Sequence, residues 1–169
     1  FAGKVGELYA PSRDQEKAKE YLATALSELG CTVDDLSAHL SIDCGDSPTS
    51  IAEASFYQEQ WRQVLGIEVA VNSMITKQGS QNRKTGNYVM SITGWGPDYN
   101  DPNTFLDMWV TDGGNNQTGF SNERYDELID LAAKETDLEK RESYFIECEQ
   151  IIADQLPIGP SFWRAPSYA

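Results

Sequence analysis

The 169-residue chain carries 13 basic and 27 acidic side chains, which gives a net charge of −14 at pH 7. This excess of negative charge repels phosphate backbones and anionic lipid surfaces, so nucleic acid and anionic membranes are poor partners. No apolar run reaches the roughly 20 residues that a helix needs to cross a bilayer. Hydrophobic residues make up 40% of the chain, enough to build a core, and the length suits a single domain over residues 1–169.

The chain begins with a predicted helix and a predicted strand. Ser12 with Gln15 predicts a capping box, apolar residues follow at helical spacing, and Gly30 predicts the end of the helix. Apolar and polar residues then alternate over 38–43, which predicts a half-buried strand. In this alternation Asp43 belongs to the polar, solvent-facing set of residues.

A second helix and a second strand are predicted next. Ser47 predicts an N-cap and Pro48 the first helical position, and Gly66 predicts the end of this helix. Alternating apolar residues over 67–71 predict the strand. Residues 76–87 are polar and contain glycine, so they predict a loop that holds a short helix.

The second half of the chain is predicted to be mostly helical. Ser121 predicts the cap of one long helix, and Thr136 with Glu139 predicts a capping box for the last one. The alternation of strands and helices predicts the α/β class with a small mixed sheet flanked by helices. The remaining predicted elements are a strand over 88–93, a short helix over 102–109 and a flexible polar loop over 111–119.

The segment Gly94–Pro102 is the most informative one, and it reads Gly-Trp-Gly-Pro-Asp-Tyr-Asn-Asp-Pro. Its glycines and proline end the preceding strand and make a rigid loop. The loop places the aromatic residues Trp95 and Tyr99 next to the carboxylates of Asp98 and Asp101. An aromatic wall beside a fixed carboxylate suits a cation carried on an organic molecule. A turn with ordinary solvated aspartates remains the alternative.

Catalytic and metal sites find little support in the sequence. His39 is the only histidine and falls on the polar side of a predicted strand, which disfavours a nucleophile–histidine device. A glycosidase that uses Asp98 and Asp101 remains an alternative, although nothing in the sequence separates their pKa values. The loop lacks the glycine and glutamate of a calcium site, and no phosphate-binding motif is present. We therefore expect a protein that is not an enzyme and has no cofactor and no metal.

The three cysteines lack the spacing of a zinc site. Cys148 falls on the apolar stripe of the last predicted helix, which predicts a buried free thiol. A disulfide between Cys31 and Cys44 is disfavoured because a predicted strand lies between them and holds them apart. The redox state of these two residues stays open.

Six segments together carry a resemblance to a known family. They are Asp14–Leu22, Trp61–Ile67, Gly86–Tyr88, Gly94–Pro102, Phe120–Leu128 and Pro157–Ile158. In order and spacing they are similar to the extracellular solute-binding proteins of peptide ABC transporters, a family that includes oligopeptide- and dipeptide-binding proteins. The resemblance runs from about Asp14 to about Trp163. It implies most of the second, C-terminal lobe of a two-lobed periplasmic-binding-protein-like fold, with the first lobe, the signal peptide and any lipid-anchoring cysteine outside this segment.

The resemblance also implies a function. A member of this family captures extracellular oligopeptides or dipeptides and delivers them to a membrane permease, without chemistry. The expected partners are the peptide, the permease subunits of the ABC transporter and the first lobe of the same protein. The expected location is extracytoplasmic, either in the periplasm or at the cell surface as a lipid-anchored protein.

Four residues are candidates for the ligand site by this resemblance. Asp98 matches the aspartate that holds the α-ammonium group of the peptide in peptide-binding members. Trp95 matches the motif's tryptophan and would form a pocket wall, whereas Tyr99 either lines the pocket or packs the loop. Arg83 lies where some relatives carry an arginine that helps with the carboxyl end of the ligand. Ile92 replaces an arginine of some oligopeptide binders, so recognition of the far end of the ligand or the preferred peptide length would differ.

The ligand class stays open on the fold alone, because other members bind nickel complexes, oligosaccharides or opines. The main alternative is an oligosaccharide-binding protein of the same fold that uses Trp95, Tyr99 and Trp109. Asp98 favours peptides, because an ammonium group needs a fixed anion as its partner.

Overall fold

The computed structural model describes residues 14–162 of the chain. Ser12 of the predicted capping box lies outside the described residues. The described residues divide into two compact units, which we call the sheet unit (residues 14–96) and the helical unit (residues 97–162). The single domain expected over residues 1–169 stays a prediction.

The sheet unit contains a parallel three-stranded sheet whose strand order is β2-β1-β3. The predicted α/β class is thereby confirmed, and all three described strands are parallel. Its elements are α1 (Gln15–Leu29), α2 (Val33–Ser37), β1 (Ser41–Gly45), α3 (Pro48–Leu65), β2 (Ala70–Met74), α4 (Thr76–Thr85) and β3 (Met90–Ser91).

Helix α3 begins and ends where the sequence predicts. The Ser47 hydroxyl accepts a backbone N–H of the first turn, and Pro48 takes the first helical position, where its missing N–H costs no bond. Gly66 ends the helix with φ of 69°, a conformation that glycine adopts without strain. Helix α1 differs from the prediction at its start, because the carboxylate of Asp14 caps it by accepting from the N–H of Lys17 at 3.0 Å.

The first strand is displaced from its predicted position. Strand β1 covers Ser41–Gly45 rather than 38–43, and Ile42, Asp43 and Cys44 are all buried. The alternation rule fails here because β1 is the central strand of a parallel sheet and both α3 and α4 pack on it. Asp43 therefore lies inside the protein and not on a solvent face.

One face of the sheet forms the apolar core of this unit. Ile42 and Cys44 pack there with Ala54 of α3 and with Ile67 and Val69, which are buried ahead of the second strand. Strand β2 itself starts at Ala70, three residues later than the sequence predicts. Burial of these side chains supplies the hydrophobic stabilisation that holds α3 to the sheet.

The other face of the sheet is covered by a polar helix. Helix α4 covers Thr76–Thr85, so most of the segment predicted as a loop with a short helix is helical. Gly79 of this helix is buried next to the Met74 side chain. Strand β3 contains only Met90–Ser91, shorter than the predicted strand over 88–93.

The helical unit is built on two long helices that follow a short one. Asn122, and not Ser121, caps the first long helix, and Asp137, instead of Thr136, caps the second. In both cases a carboxamide or carboxylate one residue away outcompetes the hydroxyl for the free N–H groups of the first turn. The elements are α5 (Asn103–Leu106), a 3₁₀ turn (Asp107–Trp109), α6 (Glu123–Lys134) and α7 (Leu138–Gln155).

The core of the helical unit is formed mainly by α6 and α7. Tyr125 is fully buried, and its hydroxyl donates to the carbonyl oxygen of Leu106 at 2.6 Å. Cys148 is fully buried as predicted, and burial raises the pKa of its thiol to about 12. All three cysteines are free, so Cys31 and Cys44 do not form a disulfide in this structure.

The loop over 111–119 is tied down by one side chain. The Asn116 amide nitrogen donates to the carbonyl oxygens of Val110 at 3.0 Å and Phe120 at 2.7 Å. These bonds join the two ends of the loop. None of the helices within residues 14–162 has the length and apolar character needed to cross a membrane.

Candidate functional site

Asp98 lies at the start of the helical unit, in an exposed loop. Its backbone N–H donates to the hydroxyl oxygen of Thr104 at 3.0 Å, and Thr104 is only 2% exposed. Among residues 14–162 the Asp98 carboxylate has no hydrogen-bond or ion-pair partner. A buried hydroxyl thus holds the backbone of this residue while its side chain remains exposed.

Asp101 has a different role, because its carboxylate is fully engaged. Its two oxygens accept from the guanidinium of Arg141 at 2.7 and 2.9 Å, and one of them also accepts the N–H of Asn103 at 3.0 Å. Hydrogen bonds from Arg141 lower the pKa of Asp101, and the carboxylate in turn raises the pKa of Arg141. Both groups therefore stay charged at neutral pH.

The glycosidase alternative needs two carboxylates that act on the substrate. Asp101 does not fit either role, since its oxygens are occupied by Arg141 and Asn103. A lowered pKa is also the opposite of what a general acid requires. The structure therefore removes one of the two residues on which this alternative depends.

Tyr99 is half-exposed, with 47% of its surface accessible. Its hydroxyl donates to a carboxylate oxygen of Asp107 at 3.3 Å and accepts from the amide of Asn103 at 2.9 Å. The Asn103 amide also donates to Asp107 at 3.2 Å. This triangle ties the ring to α5, which favours the packing role over the pocket role for Tyr99.

A row of polar side chains crosses the sheet of the other unit. Asp43 of β1 is in register with Asn72 of β2 and Ser91 of β3. Asn72 donates to one Asp43 oxygen at 3.2 Å, and Asn82 of α4 donates to the other at 3.1 Å. Asp43 is 4% exposed, so a buried carboxylate here is stabilised by two carboxamide donors.

The polar row opens into a cavity of the sheet unit. The cavity has a volume of about 440 Å³, and its lining includes Asp43, Asn72, Asn82 and Tyr88. A volume of this size accommodates a side chain together with water. The sequence did not single out Asp43, because the alternation placed it on a solvent face. The missed signal is an acidic residue directly between the apolar residues Ile42 and Cys44.

Arg83 and Trp95, two of the predicted ligand residues, belong to the sheet unit. A guanidinium nitrogen of Arg83 donates to the Ser91 hydroxyl at 3.4 Å, so this side chain reaches the same polar row. Trp95 is 42% exposed. Asp98 and Tyr99 share one loop of the helical unit. The ligand-binding roles of all four residues stay predictions.

Comparison with known proteins identifies the family. Residues 3–117 match the family described as bacterial extracellular solute-binding proteins, family 5, middle region, which covers more than half of the chain. The chain belongs to this family. The resemblance stated from the sequence is thereby confirmed.

Two relatives of this family 5 chain are named as oligopeptide- or dipeptide-binding proteins. It is 34% identical to the oligopeptide-binding protein OppA of Bacillus subtilis (strain 168) over 170 residues, which cover 96% of the chain and 30% of that protein. It is 37% identical to a dipeptide-binding protein of Lactococcus lactis subsp. cremoris over 128 residues, or 75% of the chain and 23% of that protein. The chain thus spans under a third of the length of these curated relatives.

A solved structure confirms the predicted fold of this family 5 chain. The crystal structure of a peptide-binding protein of a peptide ABC transporter superimposes with a TM-score of 0.81 at 28% identity. The match covers 93% of this chain and 68% of that one. This chain therefore shares the periplasmic-binding-protein-like α/β architecture with that structure. All three of these similar proteins are named as binding proteins.

Proposed function

We propose that the chain is the C-terminal ligand-binding lobe of a longer, two-lobed protein that captures extracellular oligopeptides or dipeptides for an ABC importer. Two lines of support come from its relatives. The proteins it resembles are named as oligopeptide- and dipeptide-binding proteins, and it covers less than a third of the length of each. A remaining two thirds leaves ample length for a first lobe.

The observation that carries this proposal is the setting of Asp98. The α-ammonium group of a peptide is a compact cation, and its best partner is a carboxylate that does not have to be released from another cation first. Asp98 meets this condition within residues 14–162, and the bond from its N–H to the buried Thr104 holds its backbone. Asp101, by contrast, is already paired with Arg141 and is not the receptor.

The remaining ligand contacts are those that the resemblance implies. Trp95 presents an exposed aromatic surface that suits a side-chain wall. By the resemblance, Arg83 would help with the carboxyl end of the ligand, and its guanidinium donates to the Ser91 hydroxyl at 3.4 Å. Strands β2 and β3 are the edges of the three-stranded sheet, so they offer backbone groups to an extended peptide. Binding through backbone groups would tolerate many side chains.

The protein performs no chemistry in this proposal. The peptide would be released to permease subunits of the transporter, and the first lobe of the same protein would complete the binding cleft. The location is extracytoplasmic, which agrees with the description of the family as extracellular. The acidic surface is compatible with ligands that carry a positive end.

The test is calorimetry on the full-length two-lobed protein with short mixed-sequence peptides, each in free and in N-acetylated form. We expect the Asp98→Asn variant to lose about 2–5 kcal/mol of binding free energy for free peptides, because a desolvated ammonium would lack its anion. N-acetylated peptides should bind the wild type weakly and be affected little by the change. Equal affinity of the wild type for both forms would refute the role of Asp98.

Asp112→Asn is a matched control. Asp112 is an exposed aspartate of the same unit with φ of 57°, a conformation that asparagine tolerates. This variant should bind free peptides as the wild type does. Competition by an oligosaccharide at peptide-like affinity would favour the sugar alternative. The partial burial of Trp109 against the helical core counts against a sugar platform at that residue.

A further inference from the structure

We propose that the ion pair between Asp101 and Arg141 is a clamp that positions the Asp98 loop and thereby sets the selectivity for a free peptide amino end. This inference rests on the proposed function of Asp98. It assigns a positioning role to two residues that the sequence did not connect. They are 40 positions apart in the chain and meet only because α7 packs beside α5.

The geometry of the pair is that of a rigid fork. Two parallel N–H···O bonds of 2.7 and 2.9 Å join the guanidinium of Arg141 to the carboxylate of Asp101. The third nitrogen of Arg141 donates to the carbonyl oxygen of Ala132 at 3.0 Å, and the guanidinium lies 4.6 Å from the ring centre of Phe145. All three guanidinium nitrogens are thus fixed, so the fork has one orientation.

Short hydrogen bonds link this fork to Asp98. The Asp101 N–H donates to the Tyr99 carbonyl at 3.0 Å, and the Thr104 N–H donates to the Asp101 carbonyl at 3.2 Å. The Thr104 hydroxyl in turn accepts the N–H of Asp98 at 3.0 Å. Displacement of Asp101 therefore moves the acceptor that holds the backbone of Asp98.

The pair is sheltered enough for this role. The side chains of Arg141 and Asp101 are 25% and 28% exposed, so solvent screens their attraction less than it screens an open surface pair. The loop from Pro97 to Pro102 has no regular secondary structure of its own. Without the fork, part of the cost of ordering the loop would have to be met when the ligand binds, and affinity would fall.

The helical unit offers a matched ion pair for comparison. Arg124 of α6 forms a similar fork with Glu147 of α7, with bonds of 2.7 and 2.9 Å. This pair also joins two segments of the helical unit, and the hydrogen bonds of Arg124 go to Glu147 and Glu127, not to the Asp98 loop. Replacement of either arginine by lysine keeps the positive charge and removes the planar fork.

The experiment compares Arg141→Lys, Asp101→Asn and the control Arg124→Lys in the full-length protein. The measured quantity is the ratio of dissociation constants for N-acetylated and free short mixed-sequence peptides. We expect both clamp variants to lower this ratio about tenfold, because only the free amino end uses Asp98. The control should keep the wild-type ratio. A general structural role would weaken both peptide forms equally, and that result would overturn the clamp.

A second measurement does not depend on any ligand. The backbone N–H of Asp98 donates to the Thr104 hydroxyl. In the 169-residue chain, Arg141→Lys should accelerate hydrogen exchange at this N–H, and Arg124→Lys should leave the exchange rate unchanged. Unchanged exchange in Arg141→Lys would overturn the clamp even if peptides bind as proposed. A third outcome is that the wild type binds both peptide forms equally while Arg141→Lys still exchanges faster. That outcome would refute the peptide role of Asp98 and leave only the positioning of the Asp98 loop by the ion pair.

Discussion

Replacement of Tyr125 by Phe isolates one buried hydrogen bond of the helical unit. The Tyr125 side chain is fully buried, and its hydroxyl donates to the Leu106 carbonyl at 2.6 Å. Its ring meets that of Phe120 edge to face, with centres 5.5 Å apart. Phenylalanine keeps the ring and its packing, so the variant removes the hydroxyl alone.

The expected cost follows from the burial of the bond. A typical intramolecular hydrogen bond contributes about 1 kcal/mol, and a buried acceptor left without a donor costs about 1–3 kcal/mol. The Leu106 carbonyl would lose the donor that α6 supplies to the end of α5. We therefore expect the free energy of unfolding of the helical unit to fall by about 2 kcal/mol.

Urea unfolding followed by circular dichroism measures this change. With a denaturant slope of about 1–2 kcal/mol per molar, the midpoint of the helical unit should move down by about 1 M or more. The control is Tyr21→Phe, the same chemical change at a side chain that is 64% exposed, where we expect less than about 0.5 kcal/mol. Equal shifts in the two variants would refute the argument that the buried hydroxyl stabilises the junction of α5 and α6.

Two further predictions concern titration and thiol chemistry. Arg141 lowers the pKa of Asp101 in the folded state, so the stabilisation is complete above the ordinary aspartate pKa of about 3.9 and is lost as the pH falls through the lower, folded-state pKa. The difference in unfolding free energy between wild type and Arg141→Gln should therefore narrow as the pH is lowered from about 6 to about 3, and a constant difference would contradict this. Iodoacetamide should label the partly exposed Cys31 in the folded chain but label Cys148 only in denaturant, since burial raises the pKa of Cys148 to about 12. Mass spectrometry of the labelled chain checks this, and equal labelling of both thiols before unfolding would show it wrong.

Local sequence signals predicted the structure correctly where interactions between residues close in sequence determine it. Ser47, Pro48 and Gly66 define α3 because capping bonds and the left-handed conformation are satisfied within a few residues. The buried thiol of Cys148 followed from helical spacing alone. The order of six short segments was sufficient to place the chain in its family.

Local signals failed where a competing group stood close by or where burial depended on distant segments. Asn122 and Asp137 displaced the predicted hydroxyl caps, because either type of side chain can accept the same N–H groups. The predicted position of β1 was wrong, and Asp43 was wrongly assigned to solvent, because alternation describes a sheet with one solvent-exposed face. A central parallel strand is covered on both faces, so its polar residues must find partners inside.

The sequence by itself determined the class of fold, the long helices and the loop that carries the candidate carboxylates. Only the tertiary structure separated the roles of Asp98 and Asp101, which are chemically identical and three residues apart. The difference lies in Arg141, which packing brings to one carboxylate and not to the other. Ion pairs and buried networks of this kind depend on distances through space, and no local pattern in a chain encodes them.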